Sequence, residues 1–156
     1  MPTPSIKLKD RLRADLTAAI KDRDKVRSGP IRMVLSAISV AEVAGKAAVV
    51  LCEAQVLDVV IREAKKRREA EEAFTAAGRA ELAEKEHAEA AVLSAYLPQQ
   101  LSAEEIAQIV REAIAGTGAA DLGPRGIGKV MGVVTPRTKG RADGGAVAAE
   151  VRRQLG

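Results

Sequence analysis

Tyr96-Leu97-Pro98-Gln99-Gln100-Leu101-Ser102-Ala103-Glu104-Glu105 reads as the end of one helical segment and the start of another. Pro98 has no N–H to donate, so a helix cannot run through it undisturbed. Ser102 with Glu105 three residues later has the form of a capping box, which satisfies two free N–H groups at a helix start. Ile106, Ile109, Val110, Ala113 and Ile114 follow at three- and four-residue spacing, the apolar stripe of a helix. Residues 1–97 are therefore expected to form an N-terminal helical domain, and 98–156 a separate C-terminal helical domain.

On the N-terminal side, Leu8, Leu12, Leu16 and Ile20 recur every fourth residue, with Ser5 as the expected N-cap. Ser28-Gly29-Pro30 is expected to break this helix and start the next, since proline is tolerated in a first turn. Ile31, Val34, Leu35 and Ile38 then mark the second helix, which Gly45 should end. Val49-Val50-Leu51 is assigned to a connector or to the start of a third helix running from about Glu53 to Ala77. Gly78 marks a turn. A fourth helix carries Leu82, Val92, Leu93, Tyr96 and Leu97.

On the C-terminal side, Gly116, Gly118, Gly123 and Pro124 predict a flexible loop. Ile127, Val130, Met131 and Val134 predict a short helix stopped by Pro136. Asp143 is a natural N-cap for a last helix facing inward through Val147, Val151 and Leu155. The fold class expected is all-α: about four helices, then a three-helix bundle.

Charge is unevenly placed. Seven of the 25 Lys/Arg and three of the 21 Asp/Glu lie in residues 121–156, which leaves 18 of each in residues 1–120. The whole net charge of +4 thus sits in the last 36 residues, and points to an anionic partner at that end. The only aromatic residues are Phe74 and Tyr96, which argues against readers that stack bases on aromatic rings. The single Cys52 forms no internal disulfide and suits a reducing compartment; a buried, inert thiol is expected. The most apolar region, Ile31 to Cys52, is interrupted by Arg32, Glu42 and Lys46, so no membrane span and no membrane partner are expected. The N-terminus does not read as a signal peptide, and a cytoplasmic location is expected.

Few residues invite chemistry. Gly123-Pro-Arg-Gly-Ile-Gly128-Lys129 fits seven positions of a phosphate-binding loop, but Val130 stands where a magnesium-ligating hydroxyl is required. Glu84-Lys-Glu-His87 is half of a di-iron motif, and His87 is the only histidine. No catalytic residue, metal ligand or cofactor is assigned. Arg62, Lys65, Lys66, Arg67 and Arg68 alternate with glutamates and read as a solvated helix face. Lys139-Gly140-Arg141 differs, because it precedes a helix N-terminus whose N–H groups and dipole favour a phosphate. The expected anion contacts are Lys129, Lys139, Gly140 and Arg141, assisted by Arg137, Arg152 and Arg153.

Three segments carry a family resemblance: Tyr96-Leu97-Pro98-Gln99-Gln100-Leu101-Ser102, Gly128-Lys129-Val130-Met131-Gly132, and Thr138-Lys139-Gly140-Arg141-Ala142-Asp143. Over about Lys7 to Leu155 the sequence resembles the GatB/YqeY family, in particular its free-standing YqeY-like members. A similar region forms the C-terminal tail of the B subunit of glutamine-dependent tRNA amidotransferase, where it helps hold the tRNA. The resemblance implies an all-helical fold, a tRNA partner and a non-catalytic binding or adaptor role in translation. The same family relation implies two alternatives. One is an accessory subunit docking on an amidotransferase or another translation enzyme. The other is a carbon–nitrogen ligase with glutamine as amido donor.

Overall fold

The structure is a computed structural model and describes residues 6–156. Among the described residues the regular elements are all helical. They are α1 (Leu8–Lys21), α2 (Lys25–Val43), α3 (Glu53–Ala76), α4 (Ala80–Ser94), α5 (Ala103–Thr117), α6 (Ile127–Thr138) and α7 (Gly144–Leu155). The chain divides into two compact units, one ending at Leu97 and one beginning at Pro98. No helix is long and apolar enough to cross a membrane among the described residues.

In the first unit α1–α4 enclose Leu12, Ile31, Val34, Ile38, Val56, Val60 and Leu93. The apolar spacing of each helix lies on its inner face. The start of α1 is held by tertiary contact: the Leu8 N–H donates to both carboxylate oxygens of Glu53, at 3.1 and 3.2 Å. Ser5 lies outside the described residues.

The first helix boundary differs from expectation. α1 stops at Lys21, and Ser28, Gly29 and Pro30 lie inside α2. Two signals make the break. Arg23 sits in the left-handed region at φ 55°. Its N–H donates to the Ile20 carbonyl and that of Asp24 to the Ala19 carbonyl, which is the Schellman closure. Asp24 then caps α2 by accepting the Arg27 N–H at 3.1 Å. The same closure ends α3, where the left-handed position is Gly78 (φ 72°). Glycine announces such a turn in a sequence; arginine conceals it. Arg23 is exposed and makes no ion pair among the described residues. Arg23→Gly removes the Cβ strain and is expected to stabilise the unit by about 0.5–1 kcal/mol, read from the urea midpoint. Arg23→Ala keeps the Cβ and should give no such gain.

Val49 and Val50 form an exposed connector between α2 and α3, outside both helices. Cys52 is exposed, contrary to the buried thiol expected, because it is the N-cap residue of α3; its N–H donates to Gln55 Oε1 at 2.9 Å. Tyr96 and Leu97 lie just beyond α4, in a closing turn.

In the second unit α5, α6 and α7 pack around Val110, Ala113, Val130, Val134, Val147 and Val151. The capping box is present: the Ser102 N–H donates to Glu105 Oε2 at 2.7 Å and the Glu105 N–H to Ser102 Oγ at 3.1 Å. The expected loop after α5 is instead two short 3₁₀ turns within Ala119–Gly126, separated by a kink at Gly123 (φ 55°) and anchored by the fully buried Ala119. Gly126 permits it, since a Cβ there would lie 3.0 Å from the Ala119 Cβ and 3.1 Å from its carbonyl oxygen. Pro136 does not stop α6, which runs on to Thr138. Proline removes one N–H, and its unserved carbonyl belongs to Gly132, an exposed residue within reach of water.

Candidate nucleic-acid interface

The residues expected to bind an anion fall at two ends of the α6–α7 hairpin. Lys129 is the third residue of α6. Arg152 is in the last turn of α7, where it complements the helix dipole. The end of α7 returns beside the approach to α6: a Cβ on Gly123 would lie 4.0 Å from the Leu155 carbonyl oxygen. Lys129 and Arg152 therefore share one end of the hairpin. Lys139, Gly140 and Arg141 form the turn at the other end, about 15 Å away at 1.5 Å of helix rise per residue.

The partners sort these cations. Arg137 donates to Glu112 Oε2 on α5 at 3.0 Å. Hydrogen bonds from Gln108 and then Arg137 hold the Glu112 carboxyl below the usual carboxylate range. Arg153 grips Glu150 with two bonds, at 2.8 and 2.6 Å. With a further bond from Gln154, they pull the Glu150 carboxyl down to about 2. Arg137 and Arg153 are thus already neutralised. Lys129 and Arg152 are exposed and make no ion pair among the described residues. Lys139 is exposed as well.

Arg141 has a structural task. Its Nε donates to the Gln99 carbonyl at 3.3 Å, and its own carbonyl accepts the Leu101 N–H at 2.7 Å. Gln100 Nε2 donates to the Gly140 carbonyl at 2.9 Å. The turn after α6 thereby ties down the segment leading into α5. The expected phosphate site at the start of α7 is also partly filled. Asp143 Oδ2 accepts the Ala146 N–H at 3.2 Å, which places a carboxylate where the dipole would favour an anion.

Arg125 is a further exposed cation outside the expected set. It lies exposed just ahead of α6, close in sequence to Lys129, and makes no ion pair among the described residues. Its sequence signal is its place in the Gly123–Lys129 stretch, whose resemblance to a nucleotide loop draws attention away from its charge. That stretch forms a 3₁₀ turn entering a helix, and Val130 is fully buried in the core.

These features coincide with the segments that carried the resemblance, and the protein-family comparison settles it: the family described as Yqey-like protein matches residues 9–155. The chain belongs to the Yqey-like family. It is similar to altered inheritance of mitochondria protein 41, mitochondrial, of Pyrenophora tritici-repentis. The two are 29% identical over 157 residues, covering 99% of this chain and 84% of that protein.

The remaining candidates of this Yqey-like protein are placed elsewhere. His87 is exposed on α4, its Nδ1 2.9 Å from Glu71 Oε1 of α3. No group of three His, Cys, Asp or Glu that could hold a metal ion occurs among the described residues. The basic run on α3 is only partly a solvated face. Arg67 is 14% exposed and lies 3.4–3.9 Å from Glu63, Glu86 and Glu89.

Proposed function

We propose that this Yqey-like protein is a non-catalytic adaptor that binds structured RNA, tRNA first, through its C-terminal unit. The observation that carries the reading is the placement of charge. The entire net charge lies in residues 121–156, and the cations there without an ion pair among the described residues include Arg125, Lys129 and Arg152. Backbone phosphates are the ligands such exposed point charges suit, and the scarcity of aromatic residues disfavours stacking of unpaired bases. The action is assigned to the cytoplasm. The name of the Pyrenophora tritici-repentis relative places that protein in mitochondria, so imaging of a tagged full chain is the direct check.

Anisotropy of labelled tRNA against salt tests the binding reading. Each Lys or Arg paired with a phosphate releases condensed counterion, at about 0.7–0.9 in log–log slope per contact. With Arg125, Lys129 and Arg152 engaged, a slope of about 2–3 is expected. Replacing Lys129 and Arg152 together with alanine should lower the slope by about 1.5–2. Replacing Arg137 and Arg153 should leave it nearly unchanged, since each already faces a carboxylate. An absence of tRNA binding at low salt would overturn the reading.

A further inference from the structure

We propose that the outer face of α2 is a docking surface for an acidic amphipathic helix of a partner protein. α2 has two apolar stripes, of which the core uses one: Ile31, Val34 and Ile38 are fully buried. Val26, Met33 and Val40 recur every seven residues on the other, and are 54%, 53% and 66% exposed. A seven-residue repeat is the spacing of a seam that receives another helix. Beside that seam, Ala37 and Val40 of α2, with Ala44 just past its end, face Val59 of α3 across an open groove. The small residues leave room for close approach of a backbone. Val43, at 66% exposed, extends the apolar surface at the end of α2.

Charge selects the occupant. From Lys25 to Lys46 the bases are Lys25, Arg27, Arg32 and Lys46, and the one acid is Glu42; Arg27 lies on the inner stripe, near Tyr96, which leaves Lys25, Arg32 and Lys46 for the outer side. Glu42 is turned inward, accepting from Lys9 Nζ at 2.9 Å and from the Leu51 N–H at 3.1 Å. The Lys9 and Leu51 bonds hold its carboxyl below the usual range, so it stays committed. On the α3 rim Arg62 and Lys66 are exposed, while Glu63 is 7% exposed and faces Lys66 and Arg67. The groove is therefore apolar between basic rims. A second copy would set basic rim against basic rim. A flat bilayer fits a concave groove of valines and alanines poorly. A helix with aliphatic residues on one stripe and Asp or Glu beside it satisfies both the apolar seam and the rims.

The test uses the full chain and two synthetic helices of about three heptads, with Leu at the seam and either Glu or Lys on both flanks. The Glu-flanked peptide is expected to bind at least about tenfold tighter at low salt, with the difference shrinking as salt rises. Val40→Asp should abolish binding with an unchanged melting temperature. Arg32→Glu with Arg62→Glu should reverse the preference and serves as the second variant. Equal binding of both peptides, or of neither, overturns the proposal. So does a dimer that Val40→Asp dissociates, or Val40-dependent binding to phosphatidylserine vesicles without any peptide preference. Because tRNA binding is read separately on the C-terminal cations, failure of either reading leaves the other standing.

Discussion

Arg67→Ala is expected to destabilise the N-terminal unit by about 3–5 kcal/mol, a large share of a domain's usual stability. The Arg67 side chain is 14% exposed between α3 and α4, and the carboxylates around it are hardly more so: Glu63 7%, Glu86 16% and Glu89 18%. The distances are ion-pair distances rather than close hydrogen bonds, and Arg67 Nε and Glu86 Oε2 are buried without a hydrogen-bond partner. The attraction is thus spread over three acids. Lys66 neutralises part of Glu63 at 2.9 Å but is itself 64% exposed. Removing Arg67 leaves carboxylates crowded in a poorly hydrated seam, and their mutual repulsion adds to the lost packing of the arginine stem. Urea denaturation should show the loss. Adding Glu89→Gln to Arg67→Ala should recover at least about 1 kcal/mol, because it removes one of the uncompensated charges. A loss under about 1 kcal/mol, with no recovery, would mean that water already screens the cluster.

Tyr96→Ala should cost about 3–5 kcal/mol, whereas Tyr96→Phe should cost only about 1 kcal/mol at neutral pH. Tyr96 is 8% exposed and belongs to the core enclosed by α1–α4. Its hydroxyl donates to Asp15 Oδ2 at 2.5 Å, and the Arg11 guanidinium lies 4.7 Å from the ring centroid. The alanine variant empties a ring-sized space, whereas phenylalanine loses only one hydrogen bond, at an edge that water can reach. Burial first, and then the bond to Asp15, raises the Tyr96 hydroxyl above its usual pKa. An unfolded tyrosine ionises near pH ~10 while the folded one stays neutral. The raised value therefore supports the fold below that pH, and the support is lost as pH rises above ~10. The advantage of the native protein over Tyr96→Phe should shrink there. An advantage constant to pH ~11 would show that the hydroxyl titrates alike in both states.

Several features were legible along the chain because they depend on residues close in sequence. Ser102 and Glu105 cap α5, and Asp143 caps α7, through side chains that reach only three residues along the chain. The inner faces of α3, α5 and α7 follow from apolar spacing alone, since burying one stripe is the only way an amphipathic helix loses its contact with water. The all-helical class, and the position of the basic excess in residues 121–156, come from the same kind of reading.

What tertiary structure decided is the identity of each charge's partner. Arg137 ranked with Arg152 in the sequence, but Glu112 of α5 meets it; the Arg153–Glu150 pair, three residues apart on α7, is by contrast local. Arg67 looked like one base in a solvated run, until α4 brought Glu86 and Glu89 against it. Glu53 caps α1 from 45 residues away, and Arg141 holds a carbonyl 42 residues away. The break after Lys21 rests on a left-handed arginine, a conformation that side-chain identity does not announce. Spacing within a helix is set by local geometry and can be read along the chain. Where a charge has no partner within a helical turn, as with Arg137, its neutralisation depends on which distant helix packs beside it, and only the folded core makes that choice.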